Sequence, residues 1–353
     1  MPAKSANALS LGAPRARCFS CAAKPYSVAA TDTPGRDRVE QRHLGKSGLK
    51  VSAVGLGCNN FGGRTDFAAT KAVVHKALDL GITFFDEADT YGDPRGSSER
   101  YLGEILGERR KDIVLATKFA RPMDGSGRFE GASRRYIMAE VEASLKRLRT
   151  DWIDLYQQHQ PDPATPIEET LRALDDLVRQ GKVRYIGSST LPAWQVVEAQ
   201  WTARHHGLHH FVSCQEEYSL LARGLETDMA AMLDAYGLGL IPFRPLADGL
   251  LTGKYKRGEP PPPGTRLGSA PRTAGRYQAD AVRSLVERLE GFAVERGHSL
   301  LDLAFGWLLA RPAVASVIAG ATRPEQVEAN VRAAAAWCVT ADDMRDIDRI
   351  RAG

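Results

Sequence analysis

Several side chains that can exchange protons or pair as ions stand directly after short apolar segments of the chain. Asp86 and Tyr91 lie in FFDEADTYG, Lys118 ends VLATK, and His159 ends DLYQQH. A carboxylate at the end of a buried segment is costly unless a partner compensates for its lost hydration. Acid–base catalysis uses tyrosine, lysine, histidine and carboxylate groups of this kind. Whether these four act together depends on the elements that position them.

Those elements alternate regularly beyond residue 39. Short apolar segments predict strands at 53–57, 83–86, 113–118, 153–159, 183–188, 211–215, 238–242 and 316–318. Helical patterns fall between and after them, at about 68–80, 97–107, 134–148, 166–180, 192–206, 225–236, 278–310 (two helices) and 324–336. Continuously apolar strands are typical of a parallel sheet covered on both faces. Eight such alternations predict a single (β/α)8 barrel, a TIM barrel, spanning residues 39–353.

The barrel would gather the four side chains at one opening. Active sites in this fold lie at the carboxyl ends of the strands. Asp86 ends the second predicted strand, Lys118 the third and His159 the fourth, and Tyr91 follows Asp86 on the loop over the same opening. Taken singly, Lys118 could form a salt bridge at the rim, and His159 could be a core histidine. Their occurrence at three consecutive strand ends favours catalysis.

Two segments outside the alternation have their own expected places. RHLGKSGLKVSAVG, residues 42–55, predicts a β-hairpin with a Lys-Ser-Gly turn that closes the barrel floor. KRGEPPPPGTRLGSAPRTAG, residues 256–275, is too rich in proline and glycine for a regular element. It predicts a long loop after the seventh strand, where barrels carry lids.

The motifs, taken in order, resemble those of the aldo-keto reductases. FFDEADTYG, VLATK and DLYQQHQPD match the family's catalytic motifs, and GSST, CQEEYSLLAR, IPFRPLADGLLTGKY and SVIAGATRPEQVEAN match its cofactor motifs. The resemblance extends from residue 40 to about residue 335 and is strongest to bacterial members. It implies a barrel reductase that converts small aldehydes or ketones to alcohols with NADPH.

The resemblance also implies a role for each of the four residues. Tyr91 would donate a proton to the carbonyl oxygen, although an unperturbed tyrosine titrates near ~10. Lys118 would lower that pKa, since a nearby ammonium favours the phenolate. Asp86 would hold Lys118 in place, and His159 would orient the carbonyl oxygen. Such a site needs no metal ion.

The cofactor residues are implied in the same way. Ser189 and Gln215 would hold the nicotinamide carboxamide, and Phe243 would stack on its ring. PLADGLLTG would surround the pyrophosphate with backbone amides. Arg323, at a helix start, would hold a 2′-phosphate, which favours NADPH over NADH. The full set is Gly57, Ser188, Ser189, Thr190, Gln215, Phe243, Arg244, Pro245, Leu246, Ala247, Gly249, Leu251, Lys254, Gly320, Thr322, Arg323, Gln326 and Asn330.

Four residues depart from the family's usual sequence beside this site: Glu87, Thr190, Arg244 and Asp248. Asp248 would repel phosphate if it pointed inward, and Thr190 replaces an amide with one hydroxyl. Arg244 could pair with Glu87 or Asp248. Two interpretations stay open, namely that these side chains face outward and change nothing, or that they alter cofactor recognition.

Other classes of function are disfavoured. A net charge of +4 is too small and dispersed for nucleic-acid binding, and no apolar run is long enough to span a membrane. GLGCNNFG has the wrong spacing for a dinucleotide-binding Rossmann turn. Cys18 and Cys21 lack the partners of a zinc site, and HHGLHH reads as a surface turn. A non-catalytic alternative remains, because the fold is similar to potassium channel β subunits, which use the cofactor as a redox ligand for a partner.

The first 38 residues form a separate N-terminal extension in this interpretation. Residues 1–30 contain four basic and no acidic side chains, a composition that resembles an organellar transit peptide. Alternatively Val39 is the true start and the preceding segment is a gene-calling artefact. The segment should be disordered and outside the chemistry. We expect a cytoplasmic protein, or a plastid or mitochondrial one if the transit peptide is real.

Overall fold

The residues described are 39–269, 275–277 and 279–353 of a computed structural model. The predictions for residues 1–38 and for 270–274 of the long loop therefore lie outside the described residues. Within them the apolar segments form strands with the bounds β1 Gln41–His43, β2 Lys50–Ser52, β3 Val54–Gly57, β4 Phe84–Asp86, β5 Val114–Phe119, β6 Ile153–Gln158, β7 Val183–Ser189, β8 Phe211–Glu217, β9 Gly239–Phe243 and β10 Val317–Gly320.

Strands β3 to β10 form one parallel sheet of eight, in the order β10-β3-β4-β5-β6-β7-β8-β9. The sheet curls until its two edges meet at Leu240. The Leu240 amide donates to the Ala313 carbonyl oxygen at 2.7 Å, and the Ala315 amide donates to the Leu240 carbonyl oxygen at 2.9 Å. The predicted (β/α)8 barrel is therefore confirmed.

Helices separate successive strands and cover the outside of the barrel. Their bounds are α1 Phe67–Asp79, α2 Ser97–Leu106, α3 Arg134–Leu148, α4 Ile167–Arg179, α5 Ala193–His206, α6 Met229–Tyr236, α7 Arg266–Ser269, α8 Asp280–Glu295, α9 Leu300–Leu309, α10 Pro324–Ala336 and α11 Ala341–Ala352. Short 3-10 helices span Gly107–Asp112, Gly224–Glu226 and Ala247–Thr252.

Two of the helices within the described residues were not predicted. Helix α7 lies within the proline-rich loop, where composition argued against a regular element. Helix α11 is very polar and buries only Ile347, so it lacks the apolar stripe that marks a helix in sequence. Its start did carry a signal, because Thr340 and Asp343 form a capping box.

The predicted hairpin plugs the barrel floor. Strands β1 and β2 pair antiparallel, with Arg42 opposite Val51. Leu44 and Val51 are fully buried and pack with Phe84 and other side chains inside the barrel. Gly45 has a φ of +59°, and a Cβ there would lie 2.5 Å from the Gly237 carbonyl oxygen, so the turn requires glycine.

Candidate active site

The centre of the site is a buried ion pair between neighbouring strands. Asp86 ends β4 and Lys118 lies near the end of β5, with their side chains 4% and 0% exposed. Lys118 Nζ donates to both carboxylate oxygens of Asp86, at 2.9 and 2.8 Å, and to the Glu87 carbonyl oxygen at 2.9 Å. Burial lowers the pKa of Lys118, but Asp86 and then Tyr91 raise it above its ordinary value. Lys118 is therefore a fixed ammonium.

Tyr91 lies above this pair on the loop after β4. Its hydroxyl is 3.5 Å from Lys118 Nζ, and the ammonium is 5.2 Å from the ring centroid. Burial raises the pKa of Tyr91, Lys118 lowers it, and Asp86 raises it again, so the net pKa lies above the ordinary value. The ammonium acts in the expected direction, but burial outweighs it. Tyr91 therefore keeps its proton at neutral pH.

His159, at the end of β6, completes a group of four with Asp86, Lys118 and Tyr91, which we call the tetrad. Its ring is edge-on to Tyr91, with the centroids 6.0 Å apart. Burial, Lys118 and Arg121 together lower the pKa of His159 to about 2. Among the described residues its Nδ1 atom is buried without a hydrogen-bond partner. The imidazole is thus neutral, with one N–H to donate.

Asp86 is bound by two amides as well as by the ammonium. Gln215 Nε2 donates to Asp86 Oδ1 at 2.7 Å, and Gln157 Nε2 does so at 3.4 Å. Gln215, predicted to hold a carboxamide, therefore uses its nitrogen within the site and has its oxygen left as an acceptor. These bonds fix the position of the carboxylate that holds Lys118.

Glu87 points away from this centre, because successive side chains along an extended strand face opposite sides. Its Oε1 is 2.6 Å from Ser98 Oγ, which is 2.9 Å from the Cys58 carbonyl oxygen. A serine hydroxyl has one proton, so both contacts are satisfied only if Glu87 is protonated and donates to Ser98. Burial raises the pKa of Glu87 well above its ordinary value, in agreement. Glu87 is a neutral internal group.

Asp89, the third acid of this stretch, is also structural. Its carboxylate accepts from the Tyr136 hydroxyl at 3.3 Å, and its side chain is fully buried. Burial raises its pKa well above the ordinary value. Of the three acids, only Asp86 faces the barrel opening.

A cavity of about 680 Å³ extends from Tyr91 and His159 across the carboxyl ends of the strands. Its size suits a cofactor or a drug-sized ligand. Most of the predicted cofactor residues line it, namely Gly57, Ser189, Thr190, Gln215, Phe243, Arg244, Pro245, Leu246, Gly249, Lys254, Gly320, Thr322, Arg323, Gln326 and Asn330.

Three predicted cofactor residues do not line the cavity. The Ser188 hydroxyl is directed at Cys214 Sγ, 3.4 Å away, since Ser188 and Ser189 face opposite sides of β7. Ala247 and Leu251 are buried, and their amides donate to the carbonyl oxygens of Arg244 and Leu246. Both amides therefore donate to the chain segment that joins β9 to the 3-10 helix Ala247–Thr252, and their contact with a pyrophosphate stays a prediction.

Thr190 lines the cavity with a left-handed backbone, at a φ of 56°. Asparagine adopts this conformation more readily than a β-branched residue. The Thr190 hydroxyl donates to the His159 carbonyl oxygen at 3.1 Å. It therefore supports the segment that carries His159.

Asp248 is buried within a cluster of counter-charges, which excludes the outward-facing interpretation for this residue. Its carboxylate lies 3.1 Å from Arg266 Nε and 3.7 Å from Arg244 Nε, and it accepts from the Tyr277 hydroxyl at 3.1 Å. Arg244 also lies 3.6 Å from Glu217. The negative charge of Asp248 is thereby compensated, and these contacts connect the long loop to the end of β9.

The segments that follow β3, β9 and β10 add several cations to the wall of the cavity. Arg64, Lys254, Arg266 and Arg323 line it. Burial and then the charge of Arg266 lower the pKa of Arg64, which shows that like charges are held close together. Clustered cations along a cavity of this size suit a ligand that carries several negative charges.

Several residues that line the cavity were not predicted from the sequence, including Arg64, Arg121, Asn60 and Arg266. A signal was present for the arginines, since each lies on a segment that follows a barrel strand. In the part of the chain that the structure describes, no cluster of His, Cys, Asp and Glu side chains could hold a metal ion. No described helix is both long and apolar enough to cross a membrane.

Comparison with known proteins agrees with this geometry. The model of the Aldo/keto reductase family matches residues 53–352. A probable voltage-gated potassium channel subunit beta of Arabidopsis thaliana is 38% identical over 301 residues, which cover 84% of this chain and 91% of the relative. The L-glyceraldehyde 3-phosphate reductase of Escherichia coli K12 is 35% identical over 326 residues, 88% of this chain and 92% of the relative. An uncharacterized oxidoreductase of Bacillus subtilis is 37% identical over 307 residues, with 84% and 91% covered.

Proposed function

The chain belongs to the aldo/keto reductase family, and on that premise we propose that it is an NADPH-dependent oxidoreductase that reduces aldehydes or ketones to alcohols. One observation carries the proposal. Lys118 Nζ binds the Asp86 carboxylate and lies 3.5 Å from the Tyr91 hydroxyl beneath the cavity. That arrangement suits a general acid backed by a fixed positive charge.

Tyr91 is the proton donor in this proposal. When bound, the reduced nicotinamide supplies the hydride that adds to the carbonyl carbon. The Tyr91 hydroxyl then gives its proton to the carbonyl oxygen, and the Lys118 ammonium stabilises the phenolate that is left. His159 is neutral and can donate its single N–H to the same oxygen, which orients the substrate.

The protonation states support these roles. The pKa of Tyr91 lies above its ordinary value, so the proton is present at neutral pH. The pKa of Lys118 is also raised, so its charge persists throughout. The Asp86 carboxylate offsets the free-energy cost of burying the Lys118 ammonium away from water.

Cofactor binding is assigned to the lining residues. Gln215 Oε1 and Ser189 would hold the carboxamide, and Phe243 would pack on the ring. Arg64 and Arg266, which line the cavity, would contact the pyrophosphate. Arg323 is exposed at the start of α10 and, among the described residues, makes no ion pair, so it would bind the 2′-phosphate of NADPH.

Aldehyde-dependent NADPH oxidation tests the function. The purified chain would be mixed with NADPH and with glyceraldehyde, L-glyceraldehyde 3-phosphate, methylglyoxal or butanal in turn. We expect repeated turnover with at least one aldehyde, and slower turnover with NADH. A protein that binds NADPH but oxidises it with no aldehyde would refute the enzymatic proposal.

A second candidate is a cofactor-binding partner subunit with little turnover. The Arabidopsis relative, named as a potassium channel subunit, favours it. Both candidates require NADPH binding, so only turnover separates them. One oxidation event per bound NADPH followed by arrest would favour the partner subunit, whereas sustained turnover with exchange of the cofactor would favour the enzyme.

A further inference from the structure

Arg121 is a cation at the mouth of the cavity that the proposed chemistry does not use. It follows β5, three residues beyond Lys118, and its side chain is exposed. It lines the same cavity as Tyr91 and His159. Its charge also contributes, after burial and Lys118, to the low pKa of His159. The guanidinium therefore faces the place where a carbonyl substrate would bind.

The backbone before Arg121 is strained. Ala120 has a φ of 93°, a backbone conformation that residues other than glycine rarely adopt. Its carbonyl oxygen accepts from the Gly131 amide at 2.9 Å and from Gln160 Nε2 at 3.3 Å, which hold the turn. Such conformations persist where the surroundings impose them, often at functional sites. The turn sets the direction in which the chain leaves β5 at Arg121.

Arg121 lies apart from the cations that suit the phosphates. In the circular strand order β5 is four positions from β9, so the two strands lie across the barrel from each other. Arg244 and Lys254 follow β9, and Arg64 follows β3 beside β10. Arg121 is thus across the opening from Arg244 and Lys254, and it lines the cavity together with Tyr91 and His159.

The guanidinium also lacks a counter-charge. Among residues 39–269, 275–277 and 279–353, Arg121 makes no hydrogen bond or ion pair. By contrast, Arg64 donates to the Gly264 carbonyl oxygen at 3.4 Å, and Arg266 lies 3.1 Å from the Asp248 carboxylate. A planar guanidinium with free donors matches a carboxylate or phosphate in a bidentate manner.

We propose that Arg121 selects carbonyl substrates that carry an anionic oxygen group, a phosphate or a carboxylate, at the end remote from the carbonyl. This inference rests on the proposed reductase function. Arg121 would bind a part of the substrate that does not react, so it binds the ground state and the transition state alike. Its loss should therefore raise KM and leave kcat unchanged.

The experiment compares charged and neutral aldehydes of matched shape. One pair is L-glyceraldehyde 3-phosphate and L-glyceraldehyde, and the other is 4-oxobutanoate and butanal. The enzymes are wild type, Arg121→Leu, Arg121→Lys and the control Arg128→Leu. Arg128 is exposed on the same loop but does not line the cavity. Each is assayed with NADPH at low and high ionic strength.

We expect wild type to prefer the charged member of at least one pair, and the pair that shows this identifies phosphate or carboxylate. Arg121→Leu should raise KM for that substrate roughly tenfold or more, with kcat and the neutral aldehyde unaffected. Arg121→Lys should recover part of the loss, and Arg128→Leu should resemble wild type. The preference should shrink as salt screens the charge.

Other results would overturn the inference. Turnover of neutral aldehydes with no charge preference would refute it and leave the reductase function standing. Equal losses on charged and neutral substrates in Arg121→Leu would show a structural role instead. An absence of turnover with every aldehyde would refute the reductase function, and the substrate selection with it.

Discussion

The two ends of the cavity hold their charges in different ways. At the tetrad, Lys118 and Asp86 lie on adjacent strands with side chains 0% and 4% exposed and a contact of 2.8 Å. At the other end, here called the loop end and formed by the segments after β9 and β10, the side chains of Arg266 and Arg244 are 35% and 41% exposed and lie 3.1 and 3.7 Å from Asp248. The charges of the tetrad are shielded from solvent and held by the sheet, whereas the arginines of the loop end are partly exposed to solvent.

The difference follows from the cost of burying charge. A buried ammonium is tolerated only with a close counter-ion and additional hydrogen bonds, because its lost hydration must be replaced. Asp86 and the Glu87 carbonyl oxygen supply them. Arg266 and Arg244, with 35% and 41% of their side chains exposed, keep part of their hydration, so exchanging one anionic partner for another costs less there than at Lys118. The tetrad is suited to chemistry and the loop end to reversible binding.

The largest expected effect is at the tetrad. Tyr91→Phe removes the only hydroxyl assigned to proton donation, and a positioned general acid contributes about 10²–10⁴-fold. We expect kcat for aldehyde reduction to fall by that factor, with NADPH affinity within about twofold of wild type because the ring and fold remain. Steady-state kinetics and fluorescence titration measure the two. Retention of most of the wild-type turnover would exclude Tyr91 as the acid.

The next effect is at the loop end. Arg323→Ala should weaken NADPH binding roughly tenfold to a hundredfold, since a charge-assisted hydrogen bond contributes about 1.5–3 kcal/mol. NADH lacks the 2′-phosphate, so its affinity should be unaffected. Arg332→Ala, at an exposed position on the same helix outside the cavity, is the matched control. Equal losses for the two cofactors in titrations would contradict the phosphate assignment.

The same contrast explains which parts of the site could be predicted from the sequence. Asp86, Lys118 and His159 were predictable as neighbours because strand ends in a barrel have fixed relative positions. Side-chain parity was harder, and the inclusion of Ser188 beside Ser189 missed that adjacent residues on β7 face opposite sides.

The loop end was least predictable. The amides of Ala247 and Leu251 were assigned to a pyrophosphate, yet each donates to a carbonyl oxygen of the segment that leads from β9 to the 3-10 helix. Asp248 contacts Arg266 and Tyr277, which lie 18 and 29 residues further along the chain, beyond a segment without hydrophobic periodicity. Loop conformation depends on such tertiary contacts, which no local pattern encodes.

A third prediction concerns the buried acid behind the tetrad. Burial raises the pKa of Glu87 above its ordinary value of 4.5, so the folded state keeps the proton longer than the unfolded state does. The resulting stability is fully present below the unfolded pKa and is lost as pH rises through the folded pKa. Glu87→Gln keeps the shape and a donor for Ser98 but cannot ionise.

The stability of Glu87→Gln relative to wild type should therefore increase with pH. The slope is at most about 1.4 kcal/mol per pH unit between the unfolded and folded pKa values. Urea unfolding at pH 5.5 and pH 7.5 gives the difference, with Glu87→Ala expected to be less stable than either protein at pH 5.5. A difference that does not change with pH would mean that Glu87 is ionised in the folded protein.

The smallest expected effect is at Arg244. Its side chain is 41% exposed, and its contacts with Glu217 and Asp248 are long, at 3.6 and 3.7 Å. Arg266 and Tyr277 both lie closer to the Asp248 carboxylate, at 3.1 Å. Exposed pairs contribute about 0–1 kcal/mol, so Arg244→Ser should weaken NADPH by no more than about fivefold, and less at high salt. Arg266→Ser should weaken NADPH binding more. It removes the cation nearest to Asp248, and it also removes a positive charge from the wall of the cavity. If Arg244→Ser instead matched Arg323→Ala in titrations, Arg244 would bind phosphate directly, and the loop end would hold its charges as firmly as the tetrad does.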